Sequence, residues 1–436
     1  MKAVILAGGL GTRLGMPDIP KPMVEITGGV SSLYNQIMLL EKYGIKDIYI
    51  LSGHKAKVIF KAFGDGSELG VNITHIVEPY RLGTAGSLAL LNNIIKERFL
   101  LLFGDIFIDI DLKKFYMFDR SHTLDKNGKF TLGSMIVHPN NHPHDSDLVE
   151  IDDKSKVVKF HQKPHNKNKY YQNLVSAGAY ILSPKIFDFI EFGGYSDLSV
   201  ILRENIEHEI YAYKTSEYMK DIGTPERLQQ VKKDIIDGKV SRLMLTNKRK
   251  AVFIDRDGVI NKHTKDILSP KEFQLLPGVD KAIKKINDLG YLTVVVTNQP
   301  AIAKGFMTRE DLHQIHNKME TLLGRKGAYI DAIYYCPHHP EKGFKGEVKS
   351  LKIKCKCRKP EPGMLLKAAK DLNIDLKQSW MLGDNMTDVV AGIKAGCESM
   401  GVNFLSSKAP SNTSLNDAVD FLIRQDFAKP SIKIVK

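Results

Sequence analysis

The sequence predicts an α/β protein made of two doubly wound, Rossmann-like domains, and three observations predict it. A chain of 436 residues is too long for one hydrophobic core to organise. Short apolar runs alternate with amphipathic ones through most of both halves, which marks βαβ units and parallel strands. Polar clusters follow directly on apolar strands, at Gly8-Gly9 and at Asp255-Arg256-Asp257-Gly258, where open α/β sheets take their ligands. The expected division is residues 1–243, a connector at 244–250, a second domain at 251–405, and a tail at 406–436 holding a short helix, Asn416 to Arg424. Hydrophobic residues make up 43% and charged residues 26%, as in ordinary globular chains. A net charge of +13 favours anionic ligands. Phosphorylated small molecules fit this charge. Nucleic acid does not, because no basic patch is interleaved with aromatics. No apolar run approaches the roughly 18 residues that span a bilayer. The run Ala3 to Ala7 after Lys2 stops at Gly8, short of the ~7–15 apolar residues of most secretory signals. It reads as a first strand, and the chain as cytoplasmic. Homo-oligomerisation is left open.

In the first half, strands are expected at Lys2–Ala7, Asp47–Ser52, Ile73–Val77 and Phe99–Phe103. Helices are expected at Leu33–Lys42, Lys55–Phe63 and Ala85–Lys96. The sheet should be mostly parallel. From Thr131 on, strands shorten and lose their intervening helices, as in an extended acceptor-binding part. The glycines of Gly8-Gly9-Leu10-Gly11-Thr12-Arg13 let backbone N–H groups approach a phosphate chain, and Arg13 and Lys21 add positive charge. The spacing is neither the P-loop nor the dinucleotide pattern. His138 to Asp145 holds prolines and asparagines as well as histidines and reads as a loop over the acceptor site. The basic run from Val231 to Lys250 reads as a closing helix and a solvated connector.

In the second half, Ala251 to Ile254 reads as a buried parallel strand. Asp255 and Asp257 stand at its end, and Gly258 permits a sharp turn. Two such carboxylates need a cation, a phosphate partner or a raised pKa. Further strands are expected at Leu292–Val296 and Ser379–Leu382, and helices at Gly278–Leu289, Arg309–Leu323 and up to Leu372. Cys336-Pro337-His338 and Cys355-Lys356-Cys357 give C-x-H-x16-C-x-C. Three thiolates and an imidazole suit structural Zn²⁺, which would close a Lys- and Gly-rich loop, 336–357, that has little apolar surface of its own. His339 is the rival of His338. Cys397 reads as a core thiol.

Several separated pieces of the first half resemble the sugar-1-phosphate nucleotidyltransferases. They are Ala7 to Leu14 with Pro20-Lys21-Pro22, Glu78-Pro79 with Leu82 to Gly86, Gly104-Asp105, Gln162-Lys163-Pro164, Ser176-Ala177-Gly178 and Asp221 to Pro225. The resemblance implies attack of a sugar-1-phosphate on the α-phosphorus of a nucleoside triphosphate. It implies that Gly8, Gly9, Gly11, Thr12 and Arg13 line the triphosphate, with Arg13 on the leaving pyrophosphate and Lys21 on the α-phosphate. Asp105 and Asp221 would hold Mg²⁺. Gly83, Thr84 and Gly86 would lie near base and sugar, and Lys163 would take the acceptor phosphate. Glu78 could accept from guanine N1–H and the 2-amino group, which favours GTP. Gln162 and Ser176 depart from the family's usual Glu and Asn, which bears on the sugar rather than the reaction.

The second half resembles haloacid-dehalogenase-type phosphatases. Their four pieces stand here as Asp255-x-Asp257, Thr297, Lys359 and Asp384 with Asp388. The resemblance implies that Asp255 attacks phosphorus and that Asp257 serves as acid and base. Mg²⁺ would sit on Asp255, the Asp257 carbonyl and Asp384, with Asp388 in support, while Thr297 and Lys359 hold the phosphoryl oxygens. Asp255 to Asn261, Thr297-Asn298-Gln299, the cysteine loop and Cys357-Arg358-Lys359-Pro360 narrow the resemblance to heptose-1,7-bisphosphate 7-phosphatases. Asn298 then belongs to the substrate site, and Arg358 to the second phosphate. Pro300-Ala301 stands where relatives usually have Ser-Gly. The joint expectation is a bifunctional enzyme making a nucleotide-activated heptose, most simply GDP-D-glycero-α-D-manno-heptose. A hexose 1-phosphate transferase, a histidinol-phosphatase-like second half and a dead sugar-nucleotide sensor are the alternatives.

Overall fold

The computed structural model describes the chain except residues 10–13, 17, 264–265 and 429–436. The sequence-expected roles of Gly11, Thr12 and Arg13 therefore lie outside the described residues. The chain forms two compact units. The first takes Met1–His138, Asp147–Gln162 and Leu174–Met244. The second takes Pro139–Ser146, Lys163–Asn173 and Leu245–Lys436. Lys163 and most of the histidine-bearing loop thus belong to the second.

The first unit begins with β1 (Ala3–Leu6), α1 (Ser32–Lys42), β2 (Asp47–Ser52), α2 (Ala56–Phe63), β3 (Asn72–Val77) and β4 (Phe99–Phe103). β5 (Ile106–Asp109), β6 (Gly133–His138), β7 (Leu148–Ile151), β8 (Val157–His161), β9 (Val175–Leu182), β10 (Ile210–Lys214), β11 (Tyr218–Asp221) and α3 (Pro225–Ile236) follow. Its main sheet runs β8-β7-β9-β4-β1-β2-β3, with β6 also on β9 and β10 on β6. β4, β1, β2 and β3 are parallel, whereas β9 runs antiparallel to β4 and β6. The sheet is therefore mixed. Beyond residue 131 the strands from β6 to β9 follow one another with no α-helix between them among the described residues, and β7 with β8, β7 with β9 and β6 with β9 pair antiparallel, whereas a helix, Leu198–Glu204, precedes β10, which runs parallel to β6. Ala85–Lys96 is not one helix. A helical turn at Gly83–Gly86 passes into a 3₁₀ segment, Ser87–Leu91, and Asn92-Asn93 then favour a turn.

The second unit is the simpler of the two. β12 (Ala251–Ile254), α4 (Val279–Asp288), β13 (Leu292–Asn298), α5 (Arg309–Gly324) and β14 (Ala332–Cys336) come first. α6 (Gly363–Asp371), β15 (Trp380–Gly383), α7 (Met386–Ala395), β16 (Glu398–Val402), β17 (Ser411–Asn412) and α8 (Leu415–Ala428) complete it. Its sheet, β14-β13-β12-β15-β16-β17, is parallel throughout. Such strands are covered on both faces, and their near-continuous apolar sequences follow from that. Thr308 and Asp311 form a capping box on α5, as Asn385 and Asp388 do on α7. The helix expected in the tail is α8. Its Leu415, Ala418, Val419 and Leu422 join the core formed by β12, β13 and α4. The basic connector is not wholly a solvated face. Arg249 is buried and donates to the Leu372 carbonyl at the end of α6, with Nε at 2.7 Å, which satisfies an orphan helix-end acceptor. No helix among the described residues is long and apolar enough to cross a membrane.

Candidate active sites

β12 lies between β13 and β15, and its register pairs Ile254 with Val295 and Leu382. The residues just past these pairs share one edge of the sheet. Asp255, Thr297 and Asp384 stand there. One carboxylate oxygen from each of Asp255, Asp384 and Asp388 lies within 4.8 Å of the others. The Lys359 ammonium sits 2.8 Å from Asp255 and 2.7 Å from Asp388, and donates to the Val296 carbonyl at 2.9 Å. Asn298 clamps the Lys359 backbone from both sides, accepting from its N–H at 3.0 Å and donating to its carbonyl at 3.1 Å. In this structure Asn298 therefore acts on Lys359 directly.

Three carboxylates facing one lysine leave net negative charge in a buried place. Burial pushes Asp255 up to about 7, with the charges of Asp388 and Asp257 adding to it against the pull of Lys359. Burial and the Asp255 charge push Asp384 up to about 6. Hard carboxylate oxygens that resist ionising together fit a divalent cation such as Mg²⁺. Asp257 behaves differently, and its carboxylate stands outside this group. Burial would raise its pKa, but the Arg256 charge and hydrogen bonds from Arg256, Asn261 and Gln299 outweigh it and hold it low. Arg256 donates from Nη2 at 2.8 Å, Asn261 at 3.0 Å and Gln299 at 2.8 Å. Any part of Asp257 in metal binding falls to its backbone carbonyl.

The cysteine loop begins where β14 ends. The Sγ atoms of Cys336, Cys355 and Cys357 are 3.2–3.5 Å apart, well beyond the ~2.05 Å of a disulfide. His338 Nδ1 lies 3.3 Å from Cys357 Sγ and 3.6 Å from Cys336 Sγ. His339 turns away and meets the Glu341 carbonyl. Three sulfurs and one nitrogen around one point suit tetrahedral Zn²⁺. Cys336 is in register with Asn298, and Arg358 donates to the His338 carbonyl. The cluster thereby anchors the turn that delivers Arg358 and Lys359.

In the first unit, Lys21 forms an ion pair with Asp105. β11 pairs with β5 so that Asp221 faces Ile106, the residue after Asp105. Asp221 accepts from Arg227 Nη1 at 2.8 Å and from the Gly223 N–H at 3.1 Å. Burial would raise the Asp221 pKa, but Arg227 outweighs it. Glu78 lies against Gly8, where an added Cβ would meet its Oε1 at 2.5 Å. A Cβ on Gly9 would meet nothing within 4 Å. Gly83 and Gly86 press on the carbonyls of Ser196 and Gly194, each 2.4 Å from where a Cβ would stand. Thr84 bridges to Asp197 and Leu198. In this structure these three residues serve close packing on the 194–198 segment. Lys163, which belongs to the second unit, is half-exposed and donates to the Asp145 carbonyl at 2.9 Å.

Residues 2–238 match the family described as nucleotidyl transferase, and residues 356–422 match the one described as HAD-hydrolase-like. The D-glycero-beta-D-manno-heptose-1,7-bisphosphate 7-phosphatase of Haemophilus ducreyi is 45% identical over 149 residues, 34% of this chain and 79% of that protein. The chain joins a nucleotidyl transferase to a heptose-bisphosphate 7-phosphatase family member. Two solved structures are similar to it as well. HddC from Yersinia pseudotuberculosis, complexed with GMP-PN, is 27% identical with a TM-score of 0.45, covering 54% of this chain and 99% of that one. D,D-heptose 1.7-bisphosphate phosphatase from B. bronchiseptica, complexed with magnesium and phosphate, is 31% identical with a TM-score of 0.36, covering 40% and 99%.

In the phosphatase half, the sequence motifs include Arg256, Asn261 and Gln299 but assign them no role, and these are the three residues that hold Asp257. Arg256 is wholly buried, and an arginine between two aspartates looks like a polar turn. Arg256→Gln is expected to raise the Asp257 pKa. Where Asp257 serves as the acid, activity falls as pH rises through that pKa. The alkaline limb of kcat/KM for phosphate release should therefore move to higher pH. The substitution also breaks a buried pair, at about 3 kcal/mol or more, so the profile belongs to the folded fraction.

Proposed function

We propose that the chain carries out two successive steps toward a nucleotide-activated heptose. In the phosphatase half, Asp255 attacks the 7-phosphorus of a heptose 1,7-bisphosphate and forms an aspartyl phosphate, while Asp257 gives its proton to the departing sugar oxygen. Asp257 then takes a proton from water, which attacks the aspartyl phosphate and releases phosphate. A divalent cation on Asp255, Asp384 and the Asp257 carbonyl would offset the repulsion between anionic nucleophile and phosphate. Thr297 and Lys359 hold the phosphoryl oxygens, and Arg358 takes the 1-phosphate. Zn²⁺ on Cys336, His338, Cys355 and Cys357 is structural.

The 1-phosphate left behind is the nucleophile of the second reaction. Its oxygen attacks the α-phosphorus of GTP, and pyrophosphate leaves. Lys21 and Arg13 neutralise the phosphates, Lys163 holds the acceptor, and Asp105 and Asp221 are the residues for Mg²⁺. Such transfers depend on positioning and charge more than on covalent help. Both substrates belong to the cytoplasm. The juxtaposition that carries this reading is Asp255, Asp384 and Asp388 converging at one strand edge with Lys359 among them.

Glu78 supports guanine. Half-buried, with its pKa raised by burial against hydrogen bonds from Ser87 and Leu82, it needs donors to stay ionised. Guanine N1–H and the 2-amino group would supply two. Glu78→Gln should cut GTP use by roughly tenfold or more, since a hydrogen bond to a charged group is worth about 1.5–3 kcal/mol, and should affect UTP less. The overall test supplies heptose 1,7-bisphosphate with GTP, CTP or UTP and follows phosphate and pyrophosphate separately. Phosphate should appear first, and pyrophosphate should follow with GTP. Pyrophosphate without prior phosphate, or phosphate from neither position, would overturn the scheme.

A further inference from the structure

Arg256 clamps the carboxylate of the residue that follows it. Its Nε lies 3.1 Å from Asp257 Oδ1, and its Nη2 lies 3.0 and 2.8 Å from Oδ1 and Oδ2. A contact between neighbours in sequence does not by itself fix a guanidinium in space, because the arginine side chain can turn about its own bonds. The other terminal nitrogen, Nη1, meets His316 Nε2 at 3.3 Å. Arg256 is wholly buried, and His316 is 7% exposed. A buried guanidinium N–H without an acceptor is costly, and a guanidinium can only donate. His316 must therefore offer the lone pair of Nε2 and carry its proton on Nδ1. Burial and the Arg256 charge hold its pKa well below the usual range, against the pull of Asp257, so the ring is neutral.

His316 lies on α5 in a stripe with Leu312, Ile315, Met319 and Leu323, all buried. By spacing alone it is one more position on the apolar face of a helix. Those four neighbours belong to the core of the second unit, and the capping box of Thr308 and Asp311 fixes where α5 begins. The imidazole is thus carried by a backbone that packing holds still. We propose that His316 is a positioning residue of the phosphatase reaction, holding the Arg256 guanidinium against Asp257 so that this carboxyl stays aimed at the departing sugar oxygen. The inference rests on the reading of Asp257 as the acid of that reaction. Asn261 and Gln299 also donate to Asp257, so loss of His316 misaligns the acid without removing it.

The test compares leaving groups on the full zinc-loaded chain with Mg²⁺. A sugar oxygen needs a proton as its bond to phosphorus breaks, whereas 4-nitrophenolate departs readily as an anion. His316→Met fills the space without a strong acceptor. It should lower kcat/KM for heptose 1,7-bisphosphate by about tenfold or more, part of the roughly 10²–10⁴-fold that a placed acid supplies. For 4-nitrophenyl phosphate the value should stay within about threefold. His316→Gln, whose amide oxygen can accept from Nη1, should recover most of the loss. In an Arg256→Gln background, His316→Met should change the ratio of the two substrates no further. An equal fall for both substrates, no fall for either, a Gln variant as poor as the Met variant, or a further change in the Arg256→Gln background would each overturn the proposal. ¹⁵N NMR of the parent reads the ring with no destabilising substitution, and His316→Gln identifies its signals. The neutral form with its proton on Nδ1 is expected near neutral pH, and a proton on Nε2 would equally overturn the role. Asp257→Asn examines the underlying reading, since it should cost the sugar phosphate far more than the aryl phosphate. If it costs both the same, Asp257 is not the acid. If it separates them and His316→Met does not, the acid stands and the role of His316 alone falls.

Discussion

Gly258→Ala is expected to lower phosphate release about a hundredfold or more while leaving the nucleotidyltransferase reaction with heptose 1-phosphate unchanged. Gly258 has φ of 84°, a backbone region in which an L side chain is strained, and a Cβ there would stand 1.8 Å from Asp384 Oδ2 and 2.6 Å from its Cγ. The clash is not with the loose end of a flexible chain. Asp384 belongs to the carboxylate group that includes Asp255 and Asp388, so either it or the turn carrying Asp257 must move. A displacement of about 1 Å in a reacting constellation can cost around a hundredfold in rate. The strained φ adds about 1–2 kcal/mol against folding. Steady-state phosphate release, with far-ultraviolet circular dichroism to confirm the fold, measures this. Activity within threefold of the parent would show that Asp384 has no fixed place in the reaction.

Removal of zinc should have a large effect on stability. Cys357→Ser, or prolonged exposure to a strong chelator, should take bound zinc from one per chain to none and lower the melting temperature of the phosphatase half. The 336–357 segment has few apolar side chains to hold it. A loss of about 3 kcal/mol corresponds to roughly 6–12 °C for a domain of this size. Phosphatase activity should fall as well, because the sulfur cluster fixes the turn bearing Arg358 and Lys359. The pH direction follows from the thiols. Burial pushes Cys336 up, and a metal must displace its proton, so zinc should be lost faster at acid pH. Metal analysis with a thermal melt on the same samples decides the matter. Zinc-free protein that melts at the parent temperature would assign the loop's stability to packing alone.

What could be read from the sequence divides along physical lines. Asp47–Ser52, Phe99–Phe103 and Ala251–Ile254 have the same bounds in the structure as in the sequence reading. Each has an unbroken apolar centre bounded by polar or turn residues, so buried parallel strands announce themselves. The convergence of Asp255, Asp384 and Asp388 was legible because motifs placed them at strand ends and parallel strands share an edge. The mixed sheet was less legible, since hydrophobic runs carry no sign of strand direction. Contacts between distant segments were least legible. Gly83, Thr84 and Gly86 meet residues 194–198, more than a hundred positions away, and a local motif cannot report that. Arg249 and Arg256 show the same limit, because a buried arginine and a solvated one have identical local sequence around them.

The anchoring of Lys359 has a consequence for turnover. Its ammonium already touches Asp255, Asp388 and the Val296 carbonyl, and its peptide is gripped by Asn298. The freedom that a lysine ordinarily surrenders on meeting its target was surrendered when the chain folded. A dipole or charge set in advance adds stabilisation without rearrangement when negative charge develops. The site is therefore suited to fast chemistry and poorly suited to accommodating substrates that would need the ammonium elsewhere.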